Sequence, residues 1–454
     1  MSARPYLTAP RAADGVPSGI PYIVANEAAE RFSYYGMRTI LVIFMTRYLV
    51  DGTGAPDVMT DTQAKSWYHL FSSGVYLTPL LGALLSDIYL GKYRTILALS
   101  LVYCLGHLAL ALDDTRAGLA LGLGLIALGS GGIKPCVSAH VGDQFGASNG
   151  HLIPRVFGYF YFAINLGAFA STLLTPILLD RFGPHLAFGL PGALMLLATI
   201  VFWAGRREFV HIPPAGRAFT RELFSAEGLS AVARLAIIFA FVAMFWALFD
   251  QTGSAWVLQA QQMDRSFMGV EWLPSQIQAF NPVLILLLIP IFNSVVYPAV
   301  ARWATPTPLR KIATGFFITT LAYLISAQIE VWIVAGQTPN IVWQLLAYLI
   351  LTTAEVLISI TCLEFAYTQA PTRLKSMVMA LFLLSVSLGN LFTSLVNFLI
   401  QDAQGNSRLA GPDYYLFFAA AMLLTAIAFV PVALRYPERA YLQSEAPDTA
   451  PSAG

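Results

Sequence analysis

Apolar residues run along this chain in long blocks, interrupted by Gly, Pro and isolated charges. A helix needs about 20 such residues to cross a bilayer. Blocks of that size fall at 21–50, 64–90, 95–113, 117–140, 154–180, 184–205, 230–256, 279–303, 308–335, 340–369, 374–401 and 412–436. The expected fold is therefore an all-α integral membrane protein with twelve transmembrane helices. The longest polar connection, 206–229, is Arg-rich, contains Pro213 and Pro214, and divides the spans six and six. It predicts a tail over 1–20, a six-helix bundle over 21–205, a linker over 206–229, a second bundle over 230–437 and a disordered tail over 438–454. Two bundles facing across a central cavity place a solute site near the midplane.

Composition agrees with this reading. The chain is 57% hydrophobic and 11% charged, whereas soluble domains carry about a quarter charged residues. A net charge of +1 gives no reason to expect nucleic acid as a partner. Cys104, Cys136 and Cys362 all fall inside predicted spans, so they read as packing residues, with no disulfide framework and no metal site. The first twenty residues lack an apolar core of signal-peptide length, so no cleavage is expected.

Short cytoplasmic loops collect Lys and Arg. Lys92, Arg94, Arg155, Arg206, Arg207, Arg217, Arg221, Arg302, Arg310, Lys311, Arg373, Lys375, Arg435 and Arg439 fall on one side, which predicts that this side, with both termini, is cytoplasmic. The other side has Arg116, Arg181, Arg265 and Arg408 among many aspartates.

The first span breaks the apolar rule at Glu27, Glu30, Arg31 and Arg38. With about 100° per residue, these four and Tyr34 and Tyr35 share a stripe about 140° wide. Charges at membrane depth are costly and normally face a bundle interior or a water-filled path. Salt bridges that merely join helices would not require two aromatics on the same stripe. A transport pathway is the better reading.

Other spans add polar groups. His69 and Tyr76 lie seven residues apart, on one face of the second span; His69 can titrate near neutral pH or simply pack near the outer boundary. Lys134 in the fourth span is too deep for ordinary snorkelling. Asn165 and Asn281 can bond a ligand or another helix. Trp246 and Asp250 lie in span seven. Glu355 and Glu364, nine residues apart in span ten, point to opposite sides of a straight helix. By depth, Arg38 and Asp250 are expected to form an outward gate, with Lys134 and Glu355 a second cross-bundle pair. The turn Gly82-Ala-Leu-Leu-Ser-Asp87-Ile-Tyr-Leu-Gly91-Lys92-Tyr-Arg94 reads as a cytoplasmic latch in which Asp87 pairs with Lys or Arg.

From about residue 20 to 436 the chain resembles the proton-coupled oligopeptide transporter family of the major facilitator superfamily. The most specific markers are Glu27-x-x-Glu30-Arg31-Phe-Ser-Tyr34-Tyr35-Gly36 and Phe160-Tyr161-x-x-Ile-Asn165-x-Gly167. Tyr68-His69, Gly132-Ile-Lys-Pro-Cys-Val-Ser-Ala and Leu363-Glu-Phe-Ala-Tyr-Thr-Gln-Ala-Pro371 look more like the animal members. The chain lacks the external domain those members insert between spans nine and ten, and the extra helix pair of many bacterial ones. A compact bacterial inner-membrane protein, working as a monomer, is the expectation.

The resemblance implies the major facilitator fold and symport of di- and tripeptides, and of peptide-like drugs, with the proton as coupling ion and no other cofactor. It implies proton-coupling roles for Glu27, Glu30, Arg31, His69 and Asp250. Arg31, Lys134 and Tyr35 would take the peptide carboxylate, and Glu355, Asn165 and Asn281 its amino group. Tyr34, Tyr76 and Trp246 would shape side-chain pockets. Related transporters carry nitrate, amino acids or drugs, so another solute is the main alternative. A membrane hydrolase is the alternative of another class, but no His-Glu-x-x-His, Gly-x-Ser-x-Gly or paired-Asp motif appears.

Overall fold

A computed structural model describes residues 6–10, 14–146, 148–214, 226–363, 365 and 375–436. Among these, twelve helical units appear where apolar blocks predict them. They are α1 (Ile20–Arg47), α2 (Asp61–Leu84), α3 (Lys92–Leu112), α4 (Arg116–Gly142), α5 (Ile153–Phe182) and α6 (Pro184–Ala204). The second set comprises α7 (Ala226–Phe249), α8 (Phe280–Ile291), α9 (Pro308–Val334), α10 (Val342–Glu355), α11 (Lys375–Leu399) and α12 (Pro412–Arg435). Counted with the turns and short helices that continue them, as over Pro274–Val300 for α8 and Val342–Leu363 for α10, eleven of the twelve are long and apolar enough to cross a bilayer. The remaining one is α1, whose 28 residues suffice in length but include Glu27, Glu30, Arg31 and Arg38. This is a multi-pass membrane protein. Glu364 and the segments 215–225 and 437–454 lie outside the described residues.

Several spans are less regular than the blocks imply. Helix α7 stops at Phe249; a tight turn, Asp250–Gly253, and a short helix, Ala255–Ala260, complete the crossing. Gly253 lies against the Tyr68 hydroxyl, with no room for a Cβ. Wide π turns extend α2 over Leu85–Leu90 and α10 over Val356–Ile360. The second begins immediately after Glu355. Such turns re-aim side chains and recur at functional positions. A two-stranded hairpin pairs Ser266–Phe267 with Val270–Glu271 outside the spans.

One apolar core is built from α7–α12, and two others are built mainly from α1–α6. The halves meet chiefly where α2 runs along α11, with further contact between α5 and α8. We call the membrane face carrying the 206–214 segment the linker face and its opposite the far face.

Small residues set how closely helices approach in lipid, because apolar contact alone provides little drive there. On α5, an added Cβ at Gly167 would lie 2.5 Å from the Ala28 carbonyl oxygen of α1; on α1, one at Gly36 would lie 2.6 Å from Thr175 Oγ1. The glycines of both signature motifs thus hold α1 against α5. Gly167→Ala should lower stability by about 1–3 kcal/mol, the usual cost of overpacking. Gly158→Ala, on the same helix with nothing within 4 Å, should be neutral or stabilising, by up to about 1 kcal/mol. Thermal unfolding of the two variants in detergent checks the pair.

Candidate functional site

Helix α1 carries its charges into the interior, where Glu27 and Glu30 are 2% and 1% exposed. Arg31 Nε lies 2.7 Å from Glu27 Oε1 and 3.2 Å from Glu30 Oε2. Ser130 of α4 donates to Glu30 Oε1 at 2.6 Å. One guanidinium is thus held by two carboxylates from its own helix.

Lys134 behaves differently. Its Nζ stands 4.3 Å from the centroid of the Tyr34 ring and 4.4 Å from that of Tyr76. Aromatic faces attract a desolvated cation. Among the described residues it makes no ion pair, so the expected Lys134–Glu355 bridge is not formed. The reason is position: Lys134 lines a cavity nearer the linker face and Glu355 a different one, where Asn281 Nδ2 donates to its Oε2 at 2.7 Å and to Thr352 Oγ1 at 3.1 Å. Asn281 orients Glu355.

Two cavities separate these groups. One of about 720 Å³ is lined by Tyr35, Arg38, Tyr161, Asn165, Asp250, Asn281 and Glu355 among others. The second, of about 660 Å³ and nearer the linker face, is lined by Arg31, Tyr76, Asp87, Lys92, Lys134 and Phe157 among others. Asn165 lines the first, with its amide turned back to the Tyr161 carbonyl at 2.8 Å. Trp246 lines neither; it packs against Phe249 and Phe382, which corrects its expected place in a side-chain pocket. Tyr34 is fully buried beneath Lys134 and supports the cation; it too lines neither cavity, which corrects its expected place in a side-chain pocket.

Toward the far face, Arg38 Nη2 lies 2.6 Å from Asp250 Oδ1, joining α1 to the turn after α7. Arg38 Nε also donates to Tyr68 Oη at 2.8 Å. Asn390 Nδ2 donates to Asp250 Oδ2 at 2.5 Å. His69 Nδ1 is 2.8 Å from Asn390 Oδ1, and its Nε2 is 2.8 Å from Ser254 Oγ. Because the Asn390 amide nitrogen faces a carboxylate, its oxygen accepts, so His69 carries its proton on Nδ1. In a neutral ring Nε2 then accepts from Ser254. His69 is buried and lies between the halves, bonded on both ring nitrogens to residues of the second half. Below and above it, Ser387 donates to the Ser73 carbonyl at 2.8 Å and Ser394 to that of Ser66 at 2.9 Å.

The latch differs from expectation. Lys92 Nζ pairs with Asp143 Oδ2 at 2.7 Å, at the end of α4. Asp87 and Arg94 make no ion pair among the described residues; Asp87 sits in the π turn and receives a 3.4 Å bond from Ser86.

Sequence reasoning missed Ser130, Asp143, Ser254 and Asn390. A signal for Asn390 was present: Ser387, Asn390, Ser394 and Asn397 form a polar stripe at helical spacing in an apolar span. It faces the matching stripe of Ser66, His69 and Ser73 on α2.

Asp250→Asn leaves Arg38 buried without its counter-charge, which costs about 3–5 kcal/mol. Distances between spin labels at Val58 and Ala403 on the far face should shift to longer values. Adding Arg38→Gln should restore much of the short distance, because no unpaired charge remains. An unchanged distance distribution in the single variant would show that the ion pair does not hold this face closed.

The family profile described as "POT family" matches residues 93–227 and 223–412. Over 364 residues the chain is 39% identical to Peptide transporter family 1 of Drosophila melanogaster, covering 69% of this chain and 48% of that protein. Over 378 residues it is 37% identical to human Solute carrier family 15 member 1, covering 70% of this chain and 52% of that one. The chain thus spans about half the length of the curated relatives it matches. Among solved structures, it is similar to an auto-inhibited POT family peptide transporter, with TM-score 0.84, 38% identity, and coverage of 94% of this chain and 99% of that chain. An in meso crystal structure of another POT family transporter gives TM-score 0.84 at 37% identity, covering 92% and 98%. The helical arrangement is the major facilitator fold.

Proposed function

This chain belongs to the POT family, and from that premise we propose that it imports di- and tripeptides together with protons by alternating access. The observation that carries the reading is the distribution of charge over the two larger cavities, Arg31 and Lys134 on the one nearer the linker face and Glu355 on the other. Arg31 and Lys134 lie on one half and Glu355, oriented by Asn281, on the other. A short peptide presents a carboxylate and an ammonium at a limited range of separations. Arg31 and Lys134, with Tyr35, take the carboxylate; Glu355, with Asn281 bonded to it and Asn165 lining the same cavity, takes the amino group. Tyr76 and Tyr161 border the space left for side chains.

Coupling follows from competition for Arg31. While Glu27 and Glu30 are ionised they hold the guanidinium, and a substrate carboxylate must displace them. A proton delivered to either one removes a negative charge beside Arg31, which frees the cation for the peptide. At the far face, protonation of Asp250 would cancel half of its pair with Arg38, and protonation of His69 would turn Nε2 from acceptor to donor toward Ser254. Loss of the Arg38–Asp250 attraction favours opening of that face, so proton entry and outward exposure are linked. We take 206–229 as the boundary between the halves and, from the Lys and Arg excess, the linker face as cytoplasmic. A bacterial inner membrane fits the compact twelve-helix plan.

Proteoliposome uptake of dialanine tests the reading. An inward-directed proton gradient should accelerate uptake, and Glu30→Gln should abolish that stimulation while leaving counterflow of peptide. Glu355→Gln removes a charged hydrogen bond of about 1.5–3 kcal/mol, so affinity for dialanine should fall about tenfold to a hundredfold. Competition by unlabelled dialanine but not by nitrate or histidine is expected. Competition by nitrate or histidine alone would assign the site to another solute.

A further inference from the structure

Near the far face, a third cavity of about 480 Å³ lies between the halves, apart from the charges of α1. Its walls carry Lys65 of α2 and Glu330 of α9, with Asp61, Asn406 and Tyr414 around them. Lys65 stands one turn into α2, where a lysine ordinarily extends its ammonium to water. It does not do so here. The residue is 8% exposed, and its Nζ lies 3.7 Å from the centroid of the Tyr414 ring, across the boundary between the halves. Among the described residues it makes no ion pair. Glu330 is half-buried and also makes none; its Oε2 accepts from Gln259 Nε2 at 2.8 Å. Gln259 is itself held by its second bond to the Ser326 carbonyl, at 3.0 Å.

Two opposite charges that merely joined helices would close on one another, because the pairing lowers the cost of burying both. Here they line one cavity more than 4.0 Å apart, each fixed by a different neighbour. That leaves room for a third body carrying the complementary pair. We propose that this cavity is a second ligand site, for a small α-amino-acid-type or dipeptide zwitterion whose carboxylate meets Lys65 and whose ammonium meets Glu330. The rim residues Asp61 and Asn406 are exposed, so the site fills from the far face. The occupant bridges α2 to α9 and α12 and therefore binds the state in which the far face is closed. Its extension to dipeptides rests on the function proposed above.

The test is equilibrium binding of radiolabelled dialanine and glycine to the full chain in nanodiscs. In a Lys134→Met/Glu355→Gln background, which removes the central site, one ligand should still bind. Adding Lys65→Met or Glu330→Gln should weaken that binding at least about tenfold, or 1.4 kcal/mol, whereas Lys65→Arg should preserve it. The Lys65→Arg variant separates loss of the site from loss of the fold. One dialanine on the wild type and neither ligand on the background overturns this proposal and leaves the transport reading standing. No dialanine on either, with glycine retained in the background and lost on Lys65→Met, supports the site while removing the peptide reading. Binding of sulfate with neither zwitterion overturns the assignment.

Discussion

A charge among lipid chains must find a partner inside the protein, and this requirement sets the arrangement of the two halves. Arg38 comes from α1 and Asp250 from the turn that interrupts α7, so satisfying either one draws the halves together at the far face. The second carboxylate oxygen is satisfied by Asn390, Asn390 in turn positions His69, and His69 reaches Ser254. The closure joins these polar bonds to apolar contact, with Trp67 of α2 edge-on to Phe398 of α11; apolar surfaces alone gain little by leaving lipid for one another. Serine-to-carbonyl bonds between α2 and α11 extend it along the contact.

Deeper in the protein the same constraint is met in another way. Arg31 is neutralised by Glu27 and Glu30 from its own helix, so its charge balance does not depend on contact with the other half. Lys134 rests between two tyrosine rings, and Glu355 is held by Asn281 within its own half. The halves can therefore stand apart around these groups, which is where the two larger cavities lie. Charges satisfied across the boundary close it; charges satisfied within one half allow it to open. Under the proposed coupling, a proton that moves a group from one class to the other would change the conformational balance directly.

Legibility followed the range of the interaction. The twelve spans could be read because each block carries its own hydrophobicity, and the stripe on α1 because helical periodicity acts within one segment. The Arg38–Asp250 pair was accessible from depth alone, since both residues lie at comparable distances from the linker face. The break after Phe249 was not, because it depends on a neighbouring helix: Tyr68 fills the space beside Gly253; nor was the π turn after Glu355, which leaves the apolar block unbroken.

The sequence alone therefore determined the class of protein, the span count and the set of ionisable residues that must lie inside, since these follow from local transfer energies and one helix's period. The partners were decided by tertiary structure. Lys134 meets tyrosines and not Glu355, Lys92 meets Asp143 and not Asp87, and Trp246 packs in a core and lines neither of the two larger cavities. Depth fixes only one coordinate of a side chain; rotation of each helix and its distance from the next fix the other two, and both are set by close packing at residues such as Gly36 and Gly167.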